Sequence, residues 1–195
     1  MTTLITKLRT IHQTVFTRVE TATGNNIEGL LARFVFLSVL FFYFWRSAFV
    51  KLDGFFPNAG AYAQILPQTA EALHYDVTQF DFHHHLIVYT GTYGEVILPL
   101  LVVIGLFARV ASIGMIVFIA VQSIVDVWGH FVDGGKPFDP LASGVIADQR
   151  ILWVFLLTII VLRGPGWLSM DRLLDRFWRD DKQDTAQASP EPQRG

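Results

Sequence analysis

The sequence predicts an all-α integral membrane protein, a four-helix bundle with amphipathic interfacial helices at both ends. Three observations lead there. Of 195 residues, 52% are hydrophobic and only 16% charged, an apolar share above that of soluble domains. Four apolar runs, at about residues 30–50, 86–107, 110–131 and 145–162, have the length a helix needs to cross the ~30 Å hydrocarbon layer. Basic residues are also shared unevenly between the segments flanking those runs, which is the charge pattern that orients membrane helices.

Residues 1–28 read as an amphipathic helix and linker. Leu4, Leu8, Ile11, Val15 and Val19 recur at helical spacing, with Lys7, Arg9, His12 and Arg18 between them, as in a helix lying on a membrane surface. No cleavable signal peptide is expected, because no continuous apolar core follows Lys7 and Arg9. The domain proper is residues 29–179. Its first span carries Arg33 near its start and Arg46 near its end, both expected to snorkel towards an interface. Lys51 follows at once. Residues 52–84 contain Gly54, Pro57, Gly60 and Pro67 and read as an extramembranous loop with a short helix at Gln68–His74. That loop runs into Asp81–Phe82–His83–His84–His85. Alternate imidazoles and a carboxylate are metal-ligand types, but a histidine triplet in a loop is more simply a solvated segment, and no metal is assigned.

The second span is organised around Glu95, a carboxylate near the middle of an apolar run, followed by Pro99. An ionisable group at that depth costs several kcal/mol and calls for a partner or a wet cavity, and the proline ring excludes the backbone hydrogen bond to the carbonyl of Glu95 itself. Arg46 or Lys51 is the expected cationic partner. A short connection at Ala108–Arg109 leads to the third span, where Gln122, Asp126 and His130 stand at i, i+4 and i+8 and so share one helical face. Such a stripe is expected to avoid lipid and to face the same cavity as Glu95. Residues 132–144 form a second loop. The fourth span is entered through Asp148–Gln149–Arg150 and ends at Arg163–Gly164–Pro165–Gly166. Met170–Trp178 reads as the second interfacial helix, and 180–195 as a disordered tail.

Lys7, Arg9, Arg18, Arg33, Arg109, Arg163, Arg172, Arg176, Arg179, Lys182 and Arg194 fall on one side of this topology, and Arg46, Lys51, Lys136 and Arg150 on the other. The excess places both termini in the cytoplasm of a multi-pass protein. Glu95, Asp126 and His130 are then the candidate reactive groups, and Arg46, Lys51, Gln122, Asp148 and Arg150 the candidate ligand-binding ones, all in the outer half of the bundle or at its mouth. The net charge of −2 gives no footprint for nucleic acid. With no cysteine, the chain can supply neither disulfides, thiol chemistry nor cysteine-ligated iron–sulfur clusters.

The Leu30–Leu31–Ala32–Arg33 opening, Lys51, Glu95 ten residues before Gly105–Leu106–Phe107–Ala108–Arg109, and the ending Gly164–Pro165–Gly166–Trp167–Leu168–Ser169–Met170–Asp171 resemble the motifs of the DoxX family over about residues 29–174. The chain departs from that pattern at Ser47, where the family often has glycine, and in its long, histidine-bearing loop. The resemblance implies a bacterial inner-membrane four-helix bundle, some of whose relatives are membrane subunits of quinone-linked or oxidative-stress systems. Quinone is therefore the candidate cofactor, and the expected partners are the lipid bilayer, a redox protein and further copies of the chain. A non-enzymatic scaffold or small-solute transporter is the alternative.

Overall fold

The computed structural model describes residues 27–136 and 144–176, together with Lys7, Thr10, Gln13 and Thr14. Those four are helical and exposed, as the polar face of a surface helix would be; the rest of the N-terminal helix, Trp178 and the tail lie outside the described residues. Four helices are long and apolar enough to cross a membrane: α1 (Ile27–Val50), α4 (Phe82–Ile104), α5 (Ala108–Trp128) and α6 (Val145–Arg163). Between α1 and α4 come a two-residue hairpin, β1 (Leu52–Asp53) and β2 (Phe56–Pro57), and the short helices α2 (Ala59–Ile65) and α3 (Pro67–Ala72). The last described helix, α7, covers residues 170–176.

One core runs the length of the bundle, with Phe36, Leu40 and Phe44 of α1 packed among Val102, Met115, Ile119, Leu157 and Ile160. Phe34, Val39, Phe42, Val117, Ile124, Leu152 and Phe155 are exposed, which is the expected disposition of apolar side chains whose solvent is lipid. The chain is a multi-pass membrane protein. A second, smaller core of Ala61, Tyr62, Ala70, Phe80 and Val88 fastens α2 and α3 to the first turns of α4, so the segment expected as a loop with one short helix at Gln68–His74 is a folded cap in which α3 falls near that helix and α2 is added.

Both ends of the spans differ from the boundaries expected from hydropathy. The helix α4 begins at Phe82 and takes the histidine triplet into its first two turns; it ends at Gly105, whose φ of 72° lies in the left-handed region that terminates helices. The helix α5 ends at Trp128, so His130 follows the helix rather than continuing its stripe. Both α1 and α6 contain wide turns, at Leu37–Phe41 and Val145–Arg150. In α1, Ser38 Oγ donates to the Phe34 carbonyl at 2.8 Å, a side-chain bond that competes with the helix ladder and bends it.

Arg33 does not snorkel. It is 7% exposed and lies in the closed end of the bundle, where α4 turns into α5. Its guanidinium donates to the carbonyls of Val102 at 3.0 Å, Pro165 at 2.9 Å and Leu168 at 2.5 Å, and also to that of Val103. It thereby satisfies the last carbonyls of α4, where the helix dipole favours a cation. Asp171 does the reciprocal job, accepting from the Phe107 and Ala108 amides at 2.7 and 3.1 Å at the start of α5. Gly29 permits the closure, since a Cβ there would meet the Gly164 carbonyl oxygen at 1.9 Å.

Candidate functional site

At the other end, α1, α4 and α5 line, below the cap, an open-sided cavity of about 980 Å³. Lys51 stands just beyond α1, but its side chain runs back one turn, giving a hydrogen bond to Ser47 Oγ at 3.2 Å and reaching both oxygens of Glu95 at 2.6 and 2.7 Å. The pair is almost fully buried, with Lys51 5% and Glu95 3% exposed. Ser47, the departure from the family pattern, is thus part of the site. Low dielectric strengthens such an attraction but also raises the cost of desolvating each ion, so the pair holds only because every donor and acceptor is matched. Beside it, Trp45 Nε1 donates to the Val96 carbonyl at 3.3 Å, and Pro99 removes the ladder bond to the carbonyl of Glu95.

Across the cavity, Gln122, Asp126 and His130 all line the same space as Lys51 and Glu95. His130 gets there from the turn after α5, held by Nε2 against the Gln64 carbonyl at 2.9 Å. Asp126 is paired with Arg150, which also donates to Ser123 Oγ at 3.0 Å. Arg150 is 4% exposed and stands behind Asp126, outside the cavity wall. Gln122 Oε1 is buried and has no hydrogen-bond partner. Of the eight residues singled out from the sequence, five line the cavity, Arg150 touches the site only through Asp126, and two stay apart from it. Arg46 is exposed on another face of α1, since residues 47 and 51 share a face that 46 does not. Asp148 accepts from the Gly144 amide at 2.5 Å, capping its own helix.

The rest of the wall was missed by sequence reasoning. Gly91 and Gly94 of α4 face α5 and the cap: a Cβ on Gly94 would touch Phe118 at 3.7 Å, and one on Gly91 would press on Ile65 at 3.1 Å. Glycines three apart in an apolar helix were the available signal. Gln64 and Ile65 come from α2 and roof the cavity, and no local pattern marks them. Tyr62 ties that roof down through a 2.5 Å hydrogen bond between its hydroxyl and His85 Nδ1; burial, with a smaller contribution from Tyr89, raises the phenol's pKa above its ordinary value, so the hydroxyl keeps its proton.

A family model for DoxX matches residues 29–127. The chain belongs to the DoxX family. The matched stretch contains Arg33, Lys51, Glu95 and Asp126, while Arg150 and the Gly164–Asp171 ending lie beyond it. Neither the curated proteins nor the solved structures include a significant match. For a DoxX protein of this kind, the arrangement divides cleanly: the motifs at 105–109 and 164–171 and Arg33 close one end, while Lys51, Glu95 and Asp126 belong to the cavity at the other.

Proposed function

We propose that this DoxX protein is the membrane subunit of a redox-associated, quinone-linked system in the bacterial inner membrane, and that its cavity receives the head group of a quinol. The observation that supports this reading best is a pair of hydrogen-bond acceptors on an otherwise largely apolar wall. One is the orphaned Gln122 Oε1. The other is Nδ1 of His130: a carbonyl can only accept, so Nε2, bonded to Gln64, carries the proton, and the neutral ring then offers Nδ1 as an acceptor. Acceptors suit a ligand that donates, and the reduced form, a hydroquinone, carries two hydroxyls. His130 would receive one hydroxyl's hydrogen bond and take up its proton, while the second hydroxyl's proton would leave to water through the open side of the pocket as the hydroquinone gives up two electrons. The electrons pass to a partner redox protein. Glu95 and Asp126, each held by a cation, would keep their own charges while the proton moves.

The scaffold reading draws on the same two ion pairs, which would then serve only to lock helices together. Saturation binding separates the two. Purified protein in nanodiscs, titrated with a short-chain quinol and followed by tryptophan fluorescence, should bind saturably. Gln122→Ala and His130→Ala should each weaken binding about tenfold, the worth of one hydrogen bond to a ligand. In a deletion strain, His130→Ala, at an exposed position outside both ion pairs, should fail to complement while reaching normal abundance. Absence of saturable binding, together with a fully functional His130→Ala protein, would favour the scaffold.

A further inference from the structure

The Asp81–His83–His84 group at the head of α4 plays no part in the cavity. We propose that it is a binding site for a first-row divalent cation, with zinc the best match. One potential ligand atom from each of the three residues lies within 4.8 Å of the other two. Asp81 Oδ2 and His84 Nδ1 are 3.9 Å apart, and the two imidazole rings lie with centroids 3.8 Å apart. Ligands of a tetrahedral zinc with ~2.0–2.1 Å bonds stand about 3.4 Å from one another, so small rotations of exposed side chains close the set.

Two further features point to a ligand. Asp81 is the residue before the helix, where an aspartate ordinarily accepts from a first-turn amide, yet its side chain makes no capping hydrogen bond. His84 Nδ1 is buried and has no hydrogen-bond partner, although the ring is held in place by Phe80, edge-on at 5.7 Å. A buried imidazole nitrogen is a case where a native structure normally supplies a partner, and the exposed carboxylate of Asp81, free of any cap bond, stands on the same turn. A cation coordinated by His83, His84 and Asp81 supplies that partner. Two imidazoles and one carboxylate suit zinc, and three protein ligands leave its fourth position to water. His85 is committed elsewhere, to Tyr62, and is not a ligand. Bound metal would therefore fix the first turn of α4 next to the residue that anchors the cap.

The test uses untagged, full-length protein in detergent after treatment with a chelator. Zinc is titrated by calorimetry, and cobalt by visible absorption as a reporter of coordination. The expected result is uptake of one equivalent with a micromolar or tighter Kd and a tetrahedral cobalt spectrum. His83→Ala, His84→Gln and Asp81→Asn should each weaken zinc binding at least about tenfold, the loss typical even of groups that only support a metal's ligands. His74→Ala, an exposed histidine outside the group, should bind like wild type. Circular dichroism of each variant confirms that the helices are retained. No saturable zinc uptake by the wild type, unchanged affinity in His83→Ala, or an equal loss in His74→Ala would each overturn the proposal.

Discussion

Lys51 shows how narrow the choice of partner is for a single intramembrane charge. Arg46 and Lys51 both lie near the outer end of α1, and charge alone does not separate them. Facing does: Ser47 and Lys51 stand on one side of the helix and Arg46 on another. The need for a cation near Glu95 was legible in the sequence because a midspan carboxylate demands one; which cation was not, because α1's facing depends on a wide turn at Leu37–Phe41 that hydropathy does not reveal. With the pair buried, Glu95→Gln leaves an ammonium with no counter-charge, a loss of about 3–5 kcal/mol. Its melting temperature in detergent should fall well below that of wild type, while Glu71→Gln, on the exposed surface of α3, should match it. Replacing both members, Lys51→Met with Glu95→Met, should recover much of the loss, since no charge is then stranded. A Glu95→Gln protein that melts like wild type would remove the pair from any account of stability.

At the scale of elements, the closed end explains why the Gly164–Pro165–Gly166 and Gly105–Arg109 motifs read so clearly while their purpose did not. Sequence reasoning recognised the residues and the four spans, yet assigned Arg33 to the interface, because periodicity says nothing about carbonyls at the end of another helix. Arg33 serves two such carbonyls, those of Val102 and Val103, and two more in the turn after α6, those of Pro165 and Leu168, with one planar fork. A lysine ammonium has three donors and no fork, so Arg33→Lys should strand at least one buried acceptor, at about 1–3 kcal/mol. Asp171→Ala uncaps α5 and should cost about 1–2 kcal/mol. Both losses should appear in thermal melts of the detergent-solubilised protein, with Arg33→Lys the larger. A larger effect of Asp171→Ala would mean that the α5 cap, and not the α4 terminus, holds this end together.

For the whole molecule, the two ends have opposite characters: one is knotted by Arg33 and Asp171, the other is roofed by a cap over a cavity. Of the described basic residues, Arg33, Arg109, Arg163, Arg172 and Arg176 lie at the closed end and Arg46, Lys51, Lys136 and Arg150 at the capped end, and the sequence flanking the four spans divides all the basic residues eleven to four in the same sense. Because cytoplasmic flanks carry the excess of lysine and arginine, the closed end and both termini should be cytoplasmic and the cavity should open towards the outside. The sequence itself makes the check simple, since it contains no cysteine and any introduced thiol is unique. Glu71→Cys on the cap and Asp175→Cys at the closed end are both at exposed positions. In intact bacterial cells, a membrane-impermeant maleimide should label the first and spare the second until the membrane is permeabilised. The reverse pattern would put the cavity's mouth in the cytoplasm, where a ligand arriving from outside could reach it only by way of the bilayer.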